Sequence, residues 1–131
     1  MTDAQEIERT HYLDSLSLLE FPEVSKAQSL ADIGSGGGFP ALVLALALPG
    51  VQITAIESVA KKCAHIGKCA DALGLKNLRV RGLRAEEYGR SEGREAHDVV
   101  VSRALAALPV VCEYSLPLLR VGGLMIAMKG P

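Results

Sequence analysis

Residues 31–40, ADIGSGGGFP, place glycines at 34, 36, 37 and 38 directly after an apolar run broken only by Asp32. Each glycine costs conformational entropy, so a cluster of four marks a backbone that a bound molecule must approach closely. A dinucleotide site needs Gly-x-Gly-x-x-Gly, its last glycine letting a helix start close to its strand. Counted from Gly34 and Gly36, that position is Phe39, and the pattern fails there. What is present is Asp-x-Gly-x-Gly-x-Gly, made by Asp32, Gly34, Gly36 and Gly38. A loop with no pyrophosphate to cradle can wrap the amino-acid and ribose parts of a nucleoside cofactor instead. Glu57 then acquires a role, because a carboxylate closing the next strand can accept hydrogen bonds from two ribose hydroxyls. The competing reading is a glycine-rich turn and a solvated Glu at a strand end.

Other reactive side chains are sparse. Cys63, Cys69 and Cys112 are odd in number and lack Cys-x-x-Cys spacing. That favours reduced, buried thiols over disulfides or zinc, and no metal is expected. The formal net charge is −1, so contact with nucleic acid would need a local basic patch. Aromatic residues make up 4% with no Trp, which weakens any base-stacking platform. Lys61, Lys62, His65 and Lys68 read as an exposed helix face. Arg79, Arg81, Arg84, Arg90 and Arg94 form a looser basic group, open to RNA but interleaved with glutamates. Met1 is followed by an acidic, polar stretch instead of a basic region and an apolar core, so a cytoplasmic location is expected. The longest apolar run, FPALVLALALPG, is too short to span a bilayer, and no membrane partner is expected.

These residues need a scaffold, and the hydrophobic pattern supplies one. Thr2 and Gln5 have the form of a capping box, which predicts a helix over about 3–20 that Pro22 stops. Strands are expected at Ser29–Ile33, Val51–Ile56, Leu78–Val80, Asp98–Ser102 and Leu124–Met128. Helices are expected at Phe39–Leu48, Val59–Leu73 and Leu105–Leu119. The second of these should turn Cys63, Ile66, Ala70 and Leu73 inward and stop at Gly74. Residues 85–96 read as a loop with a fragment of helix, and Gly122-Gly123 as the turn into the last strand. Such alternation predicts an α/β fold with a mostly parallel sheet of about five strands and helices on both faces. The expected organisation is one domain over 1–131, with an N-terminal helix at 1–22 and the sheet at 28–131. Ligands of such sheets bind beyond the carboxyl ends of the strands, at the switch point beside the first. The glycine cluster falls at that edge.

HYLDSL at 11–16, ADIGSGGGFP at 31–40, ITAIESVAKK at 53–62, RAEE at 84–87, DVVVSRALAAL at 98–108 and GGLMIAMKG at 122–130 carry a family likeness. In their order and spacing the chain resembles the bacterial 16S ribosomal RNA guanine-N7 methyltransferases, also called glucose-inhibited division protein B. The glycine motif is shared by many methyltransferases. His-x-x-Asp-Ser-Leu and Ser-Arg-Ala-x-Ala are more particular to this family. The resemblance implies a Rossmann-like class I methyltransferase fold with S-adenosyl-L-methionine as cofactor and ribosomal RNA or the small ribosomal subunit as partner. It implies cofactor contacts at Gly34, Phe39, the Ala85-Glu86 pair and Arg103, joined by Gly36 and Gly38 of the loop and, by analogy, Glu57. Ala41 stands where the family has glycine, and His65 where an apolar or aromatic residue is usual. Such families build seven strands, so the C-terminal strands are expected to be missing, along with a helical N-terminal extension.

The implied reaction moves a methyl group to guanine N7. That atom attacks through a lone pair and loses no proton, so no general base is required. Catalytic candidates are accordingly few: Arg103, His11, Asp14 and Lys129. Arg103 fits the cofactor or an RNA phosphate, or else pairs with a loop carboxylate. His11 and Asp14 lie on adjacent turns of the first helix, and Lys129 ends the last strand, where a solvated lysine is equally at home. The alternatives are a truncated, inactive cofactor-binding or assembly module and, on the weak net charge, a small-molecule methyltransferase. Residues 124–128, apolar and without proline or charge, would form an open edge through which the chain self-associates.

Overall fold

The computed structural model describes residues 14–34, 38–104 and 107–129, with Arg103, Ala104 and Lys129 described by their backbone alone. The backbone is helical at 14–17 and tightens into a 3-10 turn at Leu18–Glu20. Residues 3–13 of the expected first helix lie outside the described residues. Pro22 does more than stop that helix: it opens a short one, α1 (Pro22–Ser25), from its first turn. There a proline's missing N–H has no helical partner to lose.

Five strands follow: β1 (Ser29–Ile33), β2 (Gln52–Ile56), β3 (Leu78–Arg81), β4 (His97–Ala104) and β5 (Leu119–Lys129). They pair in the order β3-β2-β1-β4-β5, every pair parallel. The order reverses beside β1, so β1 and β4 flank the switch point. Period-2 alternation puts Leu30, Ile53, Ala55, Val99 and Val101 on one face of the sheet. Ala31, Ile56 and Val100 occupy the other. Both faces are apolar, as a parallel sheet covered on both sides requires.

One face is covered by α2 (Ala41–Ala47) and α3 (Ala60–Ala72), through Leu42, Leu44, Ala45, Ile66 and Ala70. The other is covered by α4 (Ala85–Gly89), by α5 (Leu108–Ser115) and by the 3-10 turn Leu116–Leu118, where Tyr88 and Leu118 are fully buried. Each large aliphatic side chain buried in this way contributes about 1.5–3 kcal/mol. Two details depart from the sequence pattern. Leu73 is 52% exposed, because it sits at the C-cap of α3 and lines an open groove with Leu46 and Lys76. Gly74 turns the chain there at φ +66°, a left-handed conformation that glycine adopts without steric cost. The helix expected over 105–119 is shorter, at Leu108–Ser115, and residues 105–106 lie outside the described set.

Gly122-Gly123 is not a turn before the last strand but an irregularity inside it. His97 pairs with Leu119 and Val99 with Leu124, so residues 120–123 bulge opposite Asp98. Gly122 takes φ +84°, and a Cβ on Gly123 would lie 2.8 Å from the Asp98 carbonyl oxygen. Asp98 organises this corner. Its Oδ2 accepts the backbone N–H groups of Gln28 (2.8 Å) and Ser29 (3.1 Å), and its Oδ1 meets Arg120 Nη1 at 2.9 Å. Beside it His97 is fully buried, with Nδ1 2.7 Å from Ser29 Oγ and Nε2 2.8 Å from Tyr88 Oη. Neutral imidazole offers one donor and one acceptor, and both hydroxyls can rotate to match. This network pins the amino ends of β1 and β4, the end of the sheet opposite the glycine loop.

Candidate functional site

The expected site residues come from the carboxyl ends of successive strands. Gly34 follows β1, Glu57 follows β2, Ala85 and Glu86 open α4 just after β3, and Arg103 lies in the last turn of pairing of β4. Gly34, Glu57, Ala85 and Glu86 line one cleft of about 270 Å³ together with Ile33, Ile56, Ser58, Leu83, Arg84 and Tyr114. The larger grooves of the molecule lie at the opposite end of the sheet, around Gly50 and Asn77 and around Asp98, among none of the expected site residues.

The glycine loop is held at both ends. Gly34 donates its N–H to the Ile56 carbonyl (2.8 Å), and Asp32 Oδ2, almost fully buried, accepts the N–H of Ala41 at the start of α2 (3.1 Å). A carboxylate at that helix start suits both the donor and the positive end of the helix dipole. Asp32 is therefore a brace across the loop, a role its place in the motif did not reveal.

Two glycines of the loop are required for different reasons. Gly34 has φ +70° and nothing within 4 Å of where a Cβ would stand, so conformation demands it and the space beside it is open. Gly38 has φ +98°, and a Cβ would come within 2.3 Å of Leu42 Cδ1. It does what the third glycine of a dinucleotide motif does, letting the helix pack closely, one position earlier than that motif places it. Gly38 is buried and Phe39, joined to Pro40 by a cis peptide bond, is half-buried; neither lines the cleft. Gly36 lies outside the described residues.

Glu57 is buried at 6% exposure rather than solvated. Its Oε2 accepts the Val59 N–H at 2.9 Å, which fixes the carboxyl at the mouth of α3. Each carboxylate oxygen can accept more than one hydrogen bond. Cys63 Sγ donates to the Glu57 carbonyl (3.1 Å), and burial, then the neighbouring Glu57 charge, pushes the thiol pKa up. A raised thiol pKa disfavours the thiolate, the form that attacks. The three cysteines are half-buried and free, a more open placement than the sequence suggests.

Ile33, Ile56 and Leu83 give the cleft apolar walls, Glu57 an acceptor and Tyr114 an aromatic edge. That combination suits a flat, weakly polar ring joined to a pair of hydroxyls. Tyr114 and Arg84 were not singled out for this site by sequence. Tyr114 arrives only because α5 crosses back over α4, and no local pattern announces that.

The other candidates scatter. Asp14 is half-buried, its carbonyl accepting Ser17 Oγ at 2.6 Å, and it does not line the cleft. His11 lies outside the described residues, and the backbone of Lys129 pairs with Ala104. The arginine group near β3 is partly committed: Arg79 Nε donates to Thr54 Oγ1 (3.0 Å), and Arg81 is ion-paired with Glu92. Among the described residues there is no cluster of three or more metal-ligating side chains, and no helix is long and apolar enough to cross a membrane.

A family model described as GidB, rRNA small subunit methyltransferase G, matches residues 1–131. Ribosomal RNA small subunit methyltransferase G of Moorella thermoacetica is 44% identical over 132 residues, covering 100% of this chain and 55% of the relative. Its counterpart in Deinococcus radiodurans is 44% identical over 128 residues, covering 97% of this chain and 51% of that one. The chain spans about half the length of the curated relatives it matches. Among solved structures, coclaurine N-methyltransferase bound to N-methylheliamine and SAH superposes with a TM-score of 0.74 at 17% identity, over 96% of this chain and 37% of that one. At that identity the likeness is one of fold, a Rossmann-like class I methyltransferase core.

Proposed function

The chain belongs to the rRNA small subunit methyltransferase G family, and on that premise we propose that it transfers a methyl group from S-adenosyl-L-methionine to guanine N7 of 16S ribosomal RNA, in the cytoplasm. The observation that carries this reading is the cleft at the switch point, where Gly34, Glu57 and the Ala85-Glu86 pair converge from three strand ends. The cleft fits the nucleoside half of that cofactor. Its apolar walls would take the adenine, Glu57 would accept from the ribose hydroxyls, and the open space beside Gly34 would admit the rest of the molecule.

When bound, the cofactor supplies an electrophilic methyl carbon on a sulfonium. No residue of the chain has to take a proton, since N7 attacks through a lone pair. The protein's task is to hold the two reactants in line and to keep positive charge away from N7, which becomes cationic on methylation. Arg103, whose backbone lies at the end of β4 beside the switch point, is assigned to the cofactor carboxylate or an RNA phosphate rather than to the base, on which a cation would oppose methylation. The edge strand β5, apolar over 124–128 and paired on one side only, is proposed as a surface for self-association.

The test is to incubate the protein with labelled cofactor and 16S ribosomal RNA lacking the modification, then to map the label. Label at a single guanine N7 is expected. Cofactor binding without transfer would reduce the chain to a binding module, and transfer to small molecules alone would overturn the RNA assignment.

A further inference from the structure

The exposed face of α3 offers a second set of charges beside the cleft. Lys61, Lys62, His65 and Lys68 are all exposed. Residues 61, 65 and 68 recur at i, i+4 and i+7, so they lie along one side of the helix and span about 10 Å at 1.5 Å per residue. Lys61 and Lys62 stand in the first turn, after Ser58, Val59 and Ala60, and Ser58 lines the cleft.

These lysines are not explained by stability. The first turn of α3 has no acidic residue of its own, so two cations stand at the positive end of the helix dipole, where the Glu57 carboxylate, accepting the Val59 N–H, offsets part of the conflict. Each such placement is unfavourable by about 0.3–1 kcal/mol. Among the described residues the two ion pairs are Arg81–Glu92 and Arg120–Asp98, and neither uses a lysine of this face. Of the nearby carboxylates, Glu57 is buried at the mouth of the helix and Asp71 follows Lys68 by three residues in the last turn. By contrast, two of the arginines near β3 bond within the protein.

We infer that the exposed side of α3 carrying Lys61 and Lys68, with Lys62 on the adjoining side of its first turn, is the surface on which the phosphate backbone of the RNA substrate docks beside the cleft. This rests on the RNA-methylating reading above. The chain's net charge of −1 makes such a face necessary, because bulk attraction for a polyanion is missing. Contacts of this kind position the strand without reading its sequence.

The experiment measures binding of an unmodified 16S rRNA fragment by the full chain across a salt series, with Lys61, Lys62 and Lys68 all changed to glutamine. Each cation withdrawn from a single-strand phosphate should lower the slope of log K against log salt by about 0.7, so in the triple variant the slope should fall by about 2. At 0.15 M salt that corresponds to binding roughly 50-fold weaker, while arginine at the same positions should keep the slope. Affinity for S-adenosylhomocysteine should not change, and thermal stability should hold or rise, because the glutamines relieve the dipole conflict. Lys26→Gln, on the groove at the other end of the sheet, is the control and should leave RNA binding intact. An unchanged slope in the triple variant overturns the inference and leaves the proposed function standing. Absence of salt-dependent RNA binding by the unaltered chain would remove the functional reading itself, and this surface with it.

Discussion

Mild acid should destabilise this fold through a single buried residue. His97 is fully buried between Ser29 and Tyr88, and its pKa is lowered from 6.5 to about 4. Burial is the main cause, with the guanidinium charges of Arg79 and Arg120 adding to it and Asp98 and Glu92 opposing. Protonation leaves the hydrogen-bond geometry workable, since both hydroxyl partners can accept. What fails is the placing of a charge in the core. The unfolded chain takes the proton near pH 6.5 and the folded chain only near pH 4, so this contribution is complete above pH 6.5. It is lost as pH falls toward 4 and is flat below. A shift of that size is worth about 3 kcal/mol in full, and about 2 kcal/mol between pH 7 and pH 5. Asp98 and Glu92 do not share the window. Both have lowered pKa values, Asp98 through the Gln28 and Ser29 N–H groups and Arg120, which outweigh its burial, and Glu92 chiefly through its hydrogen bond to Arg81. Their contributions are therefore present above the ordinary carboxylate range and are lost only below it. The assay is urea unfolding at pH 7, 6, 5 and 4.5 at constant ionic strength, on the parent chain and on His97→Gln. The parent should lose about 2 kcal/mol by pH 5, and the variant, less stable at pH 7, should lose little more. A variant with the parent's full pH dependence would refute the reasoning.

Gly38→Ala should destabilise the protein by about 2–3 kcal/mol, combining the left-handed backbone with displacement of Leu42. Leu42→Ala in the same chain should recover about 0.5–1.5 kcal/mol of it in a double-mutant cycle, whereas strict additivity would show that Leu42 yields freely. Glu57→Ala should weaken S-adenosylhomocysteine binding by about 1–3 kcal/mol in calorimetry, and unchanged affinity would move the site elsewhere. Tyr114→Ala should weaken the same binding by about 0.5–1.5 kcal/mol and Tyr114→Phe much less; equal losses would point to the hydroxyl rather than the ring. Sedimentation at low micromolar concentration should show self-association through β5, and a stable monomer with freely exchanging amides at 124–128 would show that the edge is tolerated.

Much of the scaffold was legible because its signals are local. The apolar run at 29–33, the alternation ending at Ile56 and the run from Asp98 were each bounded by turn residues, and each became a strand close to its expected limits. The motif spacing also located the cleft, since Gly34, Glu57 and Ala85 each follow a strand end, and a parallel sheet brings such ends to one edge. The same local logic misjudged Gly122-Gly123. A glycine pair looks alike in a turn and in a bulge, and only the register of β4 against β5 separates the two.

What the sequence by itself determined was the order of elements, the apolar faces and the place of the glycine loop after the first strand, all set by neighbours in the chain. The tertiary structure decided which distant side chains meet. Tyr114 reaches the cleft from a helix far along the chain, and Asp98 anchors the N–H groups of Gln28 and Ser29 across about 70 residues. His97, one scattered histidine among three in the sequence, becomes a neutral, buried link between two strands. The pairing of its ring with Ser29 depends on which strands lie side by side, and that with Tyr88 on how α4 packs on the sheet.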